Sequence, residues 1–301
     1  MIHVVGNAGI DSVFRVDRFP LPGETLVARE MSEDIGGKGA NQAVVARRAG
    51  AKVSLIAAIG DDAAGAGIRA TLAAEGVLTG GLTLWPGPTD RSSIYVDAAG
   101  ENTIVSATSA AQAFDPVGAG KLVDIGSDDI VLCQGNLTVA VLAKCLVATR
   151  ARGALTVLNP SPLFSSRSFD WSAVDVVVLN EVEAKALSEH DDSRDGAEQL
   201  LAAGARDVIV TLGREGAAMI GSECMEVPAP KVAAIDTTGA GDVFCGVLTA
   251  ARAGGAPWRV ALAAAAEAAA IAVTRRGVFS SFPTATEIAT ILSRESARAT
   301  P

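Results

Sequence analysis

Residues Asp236-Thr237-Thr238-Gly239-Ala240-Gly241-Asp242-Val243-Phe244-Cys245-Gly246 hold the strongest chemical signal in the chain. A Gly-Ala-Gly turn, then an aspartate, stand at an expected helix start. Small residues let backbone N–H groups come close to an anion, and a helix N-terminus carries about half a positive charge. A carboxylate beside such a cradle suits phosphoryl transfer: the cradle holds the moving phosphate while the carboxylate takes a proton from an alcohol. A capped turn with two solvated aspartates is the alternative that this stretch alone leaves open.

Three further motifs have chemical potential. Gly36-Gly37-Lys38-Gly39-Ala40-Asn41 runs into an expected helix over 39–49. Its glycines let backbone approach a polyhydroxy ligand, and Asn41 both donates to and accepts from hydroxyls. The Walker A spacing is absent. Asn180-Glu181-Val182-Glu183 follows an expected strand, where ligands of open α/β sheets bind. Asn180 and Glu183 suit either water-mediated Mg²⁺ binding or a capping box. Thr211-Leu212-Gly213-Arg214-Glu215-Gly216 stands at another strand end, as a nucleotide-binding turn or a plain β-turn.

Composition narrows the chemistry. The chain has 301 residues, 49% of them hydrophobic, enough for one large α/β domain with a sizeable core. A net charge of −9 argues against a nucleic-acid binder. There are only two histidines, His3 in an apolar strand and His190 in a polar loop, so acid/base work falls to carboxylates. Cys133, Cys145, Cys224 and Cys245 lack metal-site spacing and point to reduced thiols in the cytoplasm. The opening Met1-Ile2-His3-Val4-Val5-Gly6 reads as a core strand rather than a signal peptide. The apolar run 261–273 is short, alanine-rich and broken by Glu267, so no membrane partner is expected.

Apolar runs predict strands at 52–59, 130–134, 154–159, 174–180 and 207–212. Helices are expected at 39–49, 64–75, 137–152, 181–188, 196–203, 240–253 and 259–273. The alternation predicts a three-layer α/β/α sandwich with a mostly parallel central sheet. Segments 11–35 and 89–108 break the rhythm, and the second reads as a hairpin around a Gly-containing turn. Together they predict a small β-sheet lid.

In this order and spacing the four motifs resemble the ribokinase (PfkB-type) family of carbohydrate kinases over nearly the whole chain. Phe19-Pro20-Leu21-Pro22-Gly23-Glu24-Thr25, Asn159-Pro160-Ser161-Pro162 and Ala272-Val273-Thr274-Arg275-Arg276-Gly277 are similar to the ribokinases within it. The resemblance implies one kinase domain over 1–301, with a discontinuous lid from about 11–35 and 89–108. It implies transfer of the γ-phosphate of ATP to a hydroxyl of a small sugar, ribose or a related pentose or hexose. Asp242 would be the base, with Gly239, Ala240 and Gly241 as the anion hole. Asp11, Gly37, Lys38, Asn41 and Asn136, with Asp242, would hold the sugar. Asn180, Thr211, Gly213, Gly216 and Gly241 would bind the nucleotide. Asn180 and Glu183 would organise Mg²⁺ indirectly, while Asp236, Thr238, Arg275, Gly277 and Ser281 match a loop pair that binds K⁺.

Some positions depart from the family pattern. Gly9 stands where its ribokinases have Asn, Asn136 where they have a sugar-contacting Glu, and Ala266 where they have a His near the base. The first two keep open a nucleoside or phosphosugar acceptor, and behind those a non-catalytic sugar- or nucleotide-binding protein. Arg91 is either a contact for a substrate phosphate or a plain surface residue. The lid, with Ile94, Val96, Ile104 and Val105 read as one apolar face, is expected to pack against a second copy as a homodimer.

Overall fold

The computed structural model describes residues 1–99, 101–164, 169–188 and 192–299. His190 and the glycine of the expected lid turn, Gly100, lie outside them. β1 (Ile2–Val5) leads to two strands of a separate sheet, β2 (Gly9–Arg15) and β3 (Glu30–Gly36), and then to α1 (Lys38–Arg48). β4 (Val53–Ile56), β5 (Ala58–Gly60), α2 (Ala63–Ala74) and β6 (Thr83–Trp85) follow. The hairpin β7 (Arg91–Val96) and β8 (Asn102–Ala107) comes next, with α3 (Ser109–Ala113). The chain then alternates through β9 (Ile130–Gln134), α4 (Val139–Arg150), β10 (Leu155–Asn159), β11 (Val176–Asn180), α5 (Glu181–Ser188), α6 (Ser193–Ala202) and β12 (Asp207–Thr211). It closes with the hairpin β13 (Ala217–Ile220) and β14 (Met225–Val227), and then α7 (Ala240–Ala253), α8 (Trp258–Ala272) and α9 (Ala285–Ala299).

The main sheet has eight strands in the order β14-β13-β12-β11-β10-β9-β1-β4, parallel from β4 to β12 and antiparallel at β13 and β14. Strand residues alternate between two apolar cores. Ile2, Val4 and Leu132 face one with α1, α2, α7, α8 and α9. Val5, Val131 and Cys133 face the other with α3, α4, α5 and α6. This is the expected three-layer sandwich. No helix among the described residues is long and apolar enough to cross a membrane.

Local differences from the sequence reading have physical causes. The run 52–59 is two strands, because the chain leaves the main sheet at Ala57 and β5 pairs with β6. The run 174–180 becomes strand only at Val176, after a short 3₁₀ turn at Trp171–Ala173. α9 escaped notice because it buries only Ile288 and Ile291.

The segments expected to form a lid make a separate four-stranded sheet, β3-β2-β7-β8, with β2 parallel to β7 and the other pairs antiparallel. Its register corrects the expected apolar face. Ile94 opposes Ile104, and Val96 shares their side, but Val105 opposes Ser93 on the other. Successive strand residues point to opposite faces, so Ile104 and Val105 cannot share one.

Candidate active site

The start of α7 is set by Gly239, whose φ of 79° is left-handed. Asp242 therefore falls in the first helical turn, where a carboxylate is favoured by the helix dipole. It is only 4% exposed. Asn41 Nδ2 donates to its Oδ2 and Gln42 Nε2 to its Oδ1, both at 2.9 Å. Both donors come from α1, which approaches α7 at Gly246: a Cβ there would lie 2.7 Å from Val45 Cβ. Lys38 Nζ stands 3.9 Å from Asp242 Oδ1. The Asp242 carboxylate, with smaller help from Glu183 and Asp11 and against the opposing effect of burial, raises the Lys38 ammonium above its ordinary value. Burial, reinforced by Asp242, pushes the Cys245 thiol up, which leaves it inert.

The lid brings Asp11 toward this centre. Burial pushes its carboxyl up to about 6, with Asp242 and Asp34 adding and Ser92 and Lys38 opposing. Gly36 permits the approach, since a Cβ there would lie 2.1 Å from Asp11 Oδ2. Gly9 also has a steric reason: a Cβ would meet the Asp90 carbonyl oxygen at 2.6 Å, which excludes an Asn in this backbone arrangement. Asn41 Oδ1, Gln134 Oε1 and Asn136 Oδ1 are buried acceptors without a hydrogen-bond partner among the described residues. Such groups are costly unless a ligand or water supplies donors. Arg91 pairs with Glu33 and donates to Ser12 Oγ. Those residues lie on the lid face opposite Asp11, so Arg91 is committed away from the Asp11 side.

Beside the α7 N-terminus opens a cavity of about 720 Å³. Thr211, Gly213, Gly216 and Gly241 line it. A Cβ on Gly241 would meet open space, so the backbone there faces the cavity bare. The first N–H groups of a helix lack intrahelical acceptors. That of Ala240 turns to Thr237 O at 3.3 Å, which leaves Gly241 and Asp242 as the first donors toward the opening. The 228–234 segment and the α8 residues Ala266, Ala269 and Ala270 also line the cavity, although the sequence reading gave them no role. Their signal was a stripe of alanines, easily taken for helix propensity alone.

Asn180 and Glu183 form the capping box: each backbone N–H donates to the other's side chain, at 2.9 and 2.8 Å. Asn180 is exposed and does not line the cavity. The Asp236 carboxylate accepts from Thr238 N–H at 3.0 Å and Gly277 N–H at 3.2 Å, which ties the loop before α7 to the loop after α8. Ser281 Oγ donates to Val278 O. The Arg275 guanidinium is bound to Glu287, so any ion contact from Arg275 falls to its main chain. Among the described residues, no group of three or more His, Cys, Asp or Glu side chains is arranged to hold a metal.

The pfkB family carbohydrate kinase profile matches residues 1–285. The chain belongs to this family. Among pfkB-family relatives it is 32% identical to the ribokinase of Haemophilus influenzae over 301 residues, covering 95% of this chain and 96% of that one. The ribokinase structure from Thermotoga maritima superposes with a TM-score of 0.86 at 32% identity, covering 97% and 99% of the two chains. The ribokinase of Cryptococcus neoformans, solved in complex with ADP, gives 0.84 at 29% identity, covering 96% and 98%. In this pfkB kinase the structure gathers Asp242, Asn41, Lys38 and Asp11 at one centre, with Gly241 between it and the cavity. Asp236, Thr238 and Gly277 form a separate cluster under the α7 entry.

Proposed function

We propose that this protein transfers the γ-phosphoryl group of ATP to a hydroxyl of a small uncharged sugar, ribose or a related pentose or hexose. The observation that carries the reading is the buried Asp242 carboxylate, held by two amides and next in the chain to Gly241, whose bare backbone lines the neighbouring cavity. Asp242 takes the proton of the acceptor hydroxyl as its oxygen attacks the γ-phosphorus and the bond to the ADP oxygen breaks. Backbone N–H groups at 239–241, chiefly that of Gly241, receive the negative charge on the migrating group, and Lys38 adds positive charge at the same point. Asp11, Asn41 and Asn136 hold the sugar, and the unpartnered Oδ1 atoms of Asn41 and Asn136 match hydroxyl donors. Thr211, Gly213 and Gly216 shape the nucleotide side, where the Cryptococcus relative's ADP supports nucleotide use.

Asn180 and Glu183 fit indirect organisation of Mg²⁺, because carboxylate and amide oxygens suit a cation that keeps its waters. Bound there, the ion would neutralise phosphate charge. The Asp236 loop pair fits K⁺, whose charge would hold the α7 entry in shape. Arg91 and Glu33 pair on the far side of the lid, which favours an uncharged acceptor over a phosphosugar. A panel of pentoses, hexoses, nucleosides and sugar phosphates, read by coupled ADP release with and without K⁺, tests the assignment. Turnover confined to phosphorylated acceptors would overturn it.

The lid supports a homodimer. Phe14 and Tyr95 stack at 5.4 Å on the face that also carries the exposed Met31 and Val105. A monomeric mass by light scattering at micromolar concentration would refute it.

A further inference from the structure

Resting on the reading of Asp242 as general base, we propose that Gln42 is its positioning residue, fixing the carboxylate's rotation through an amide chain anchored on β9 and β10. An ionised carboxylate only accepts, so Gln42 turns its amide nitrogen to Asp242 Oδ1, at 2.9 Å. The same nitrogen donates to Asn159 Oδ1 at 3.2 Å, and Asn159 Nδ2 donates to Val178 O at 2.9 Å. Gln42 Oε1 then faces the other way, where Gln134 Nε2 donates to it at 2.8 Å. Every polar atom of Gln42 is used, in one direction only. A flipped amide would set its oxygen against the carboxylate and its nitrogen against that of Gln134.

Gln42 and Gln134 are both 0% exposed, so water does not compete for these bonds. Gln134 ends β9 and Asn159 ends β10, the middle of the main sheet. The base on α7 is thereby tethered through α1 to two inner strands of the main sheet. Asn41 holds Oδ2 and Gln42 holds Oδ1, and each oxygen keeps a second lone pair for the acceptor hydroxyl. Rotation of the carboxylate about its bond to Cβ would break both contacts. In-line attack tolerates little misplacement, and an error of about 1 Å can cost roughly 10²-fold in rate.

The test combines kinetics with amide spectroscopy. Gln42→Met keeps length and burial but loses the donor, and should lower kcat about 10²-fold while the KM for ATP stays within roughly twofold. In an Asp242→Asn background the same change should cost less than about threefold, because no base remains to be oriented. Gln134→Met frees Gln42 to flip without deleting it, and should cost an intermediate factor of roughly ten. In ¹⁵N-glutamine-labelled protein, the Gln42 side-chain amide protons should exchange slowly and shift in both Asp242→Asn and Gln134→Met. Equal kcat losses in the two backgrounds, a loss confined to KM, or amide signals that neither substitution moves would each overturn the proposal. The amide signals read the tether whatever reaction the site performs, so a failed tether and a failed kinase assignment give different results.

Discussion

The proposed acceptor side and the proposed nucleotide side of this site are built from different materials. Around Asp242 the side chains are polar, nearly inaccessible and bonded in fixed directions: Asn41, Gln42, Gln134 and Asn159 from α1 and two strands. The cavity beyond Gly241 is walled mostly by alanine, glycine, proline and valine, with Thr211 and Thr237 supplying hydroxyls and Arg214, Glu215 and Lys231 the charged groups of its lining. The first arrangement discriminates by hydrogen-bond geometry, and the second by shape and backbone. A hydroxyl pattern can be read only by groups that suffer when left unpaired, whereas a nucleotide common to many enzymes needs only a fitting wall.

Predictions that break the comparison should therefore fall unevenly on its two halves. The largest effect is expected from Asp242→Asn, which keeps the side chain's shape but cannot take the proton. Turnover should fall at least ~10²-fold in a coupled ADP assay, with nucleotide affinity by calorimetry little changed. Ala266→Trp should do the reverse. It fills the cavity wall, and overpacking of this kind costs enough to raise the KM for ATP about tenfold while leaving the acceptor KM alone. A matching rise in acceptor KM would erase the division between the two halves.

Smaller effects sharpen the acceptor half. Burial raises the Asp11 carboxyl to about 6, so it is ionised above that pH and protonated below it. Only the ionised form is a pure acceptor for sugar hydroxyls, so the acceptor KM should rise severalfold as pH falls through about 6. Asp11→Asn should flatten that dependence in a pH series of initial rates. The smallest effect belongs to Asp236→Ala, which unties the loops before α7 and after α8. Stimulation by K⁺ should disappear, with a loss of only a few fold in its absence; undiminished stimulation would remove Asp236 from any ion site.

The β-α alternation was legible because parallel strands covered on both faces are continuous Val, Ile and Leu runs, as in Val176–Asn180 and Asp207–Thr211. The glycine motifs were legible because their spacing has few other uses. The break at Ala57 was not, since pairing of β5 with β6 depends on a strand far along the chain. Asn180 and Glu183 admitted two readings, and the capping box forms, because a box needs only neighbours three apart. The amide chain was illegible for the opposite reason. Gln42 and Gln134 stand 92 positions apart, and no local pattern marks either as more than a helix or strand residue.

Asn41 and Asp242 are separated by 201 positions, and that distance is also a delay. At a synthesis rate of about 5–20 residues per second, α1 exists for roughly 10–40 s before the aspartate is made. Throughout that interval its run of buried residues from Gly39 to Ala46, two polar amides among them, has no α7 to rest against. The growing chain must shelter this helix without its eventual neighbour, and the proposed base is made only as α7, the first of the last three helices, begins. Catalytic competence and completion of the core on this side of the sheet are thus one event in the life of the molecule.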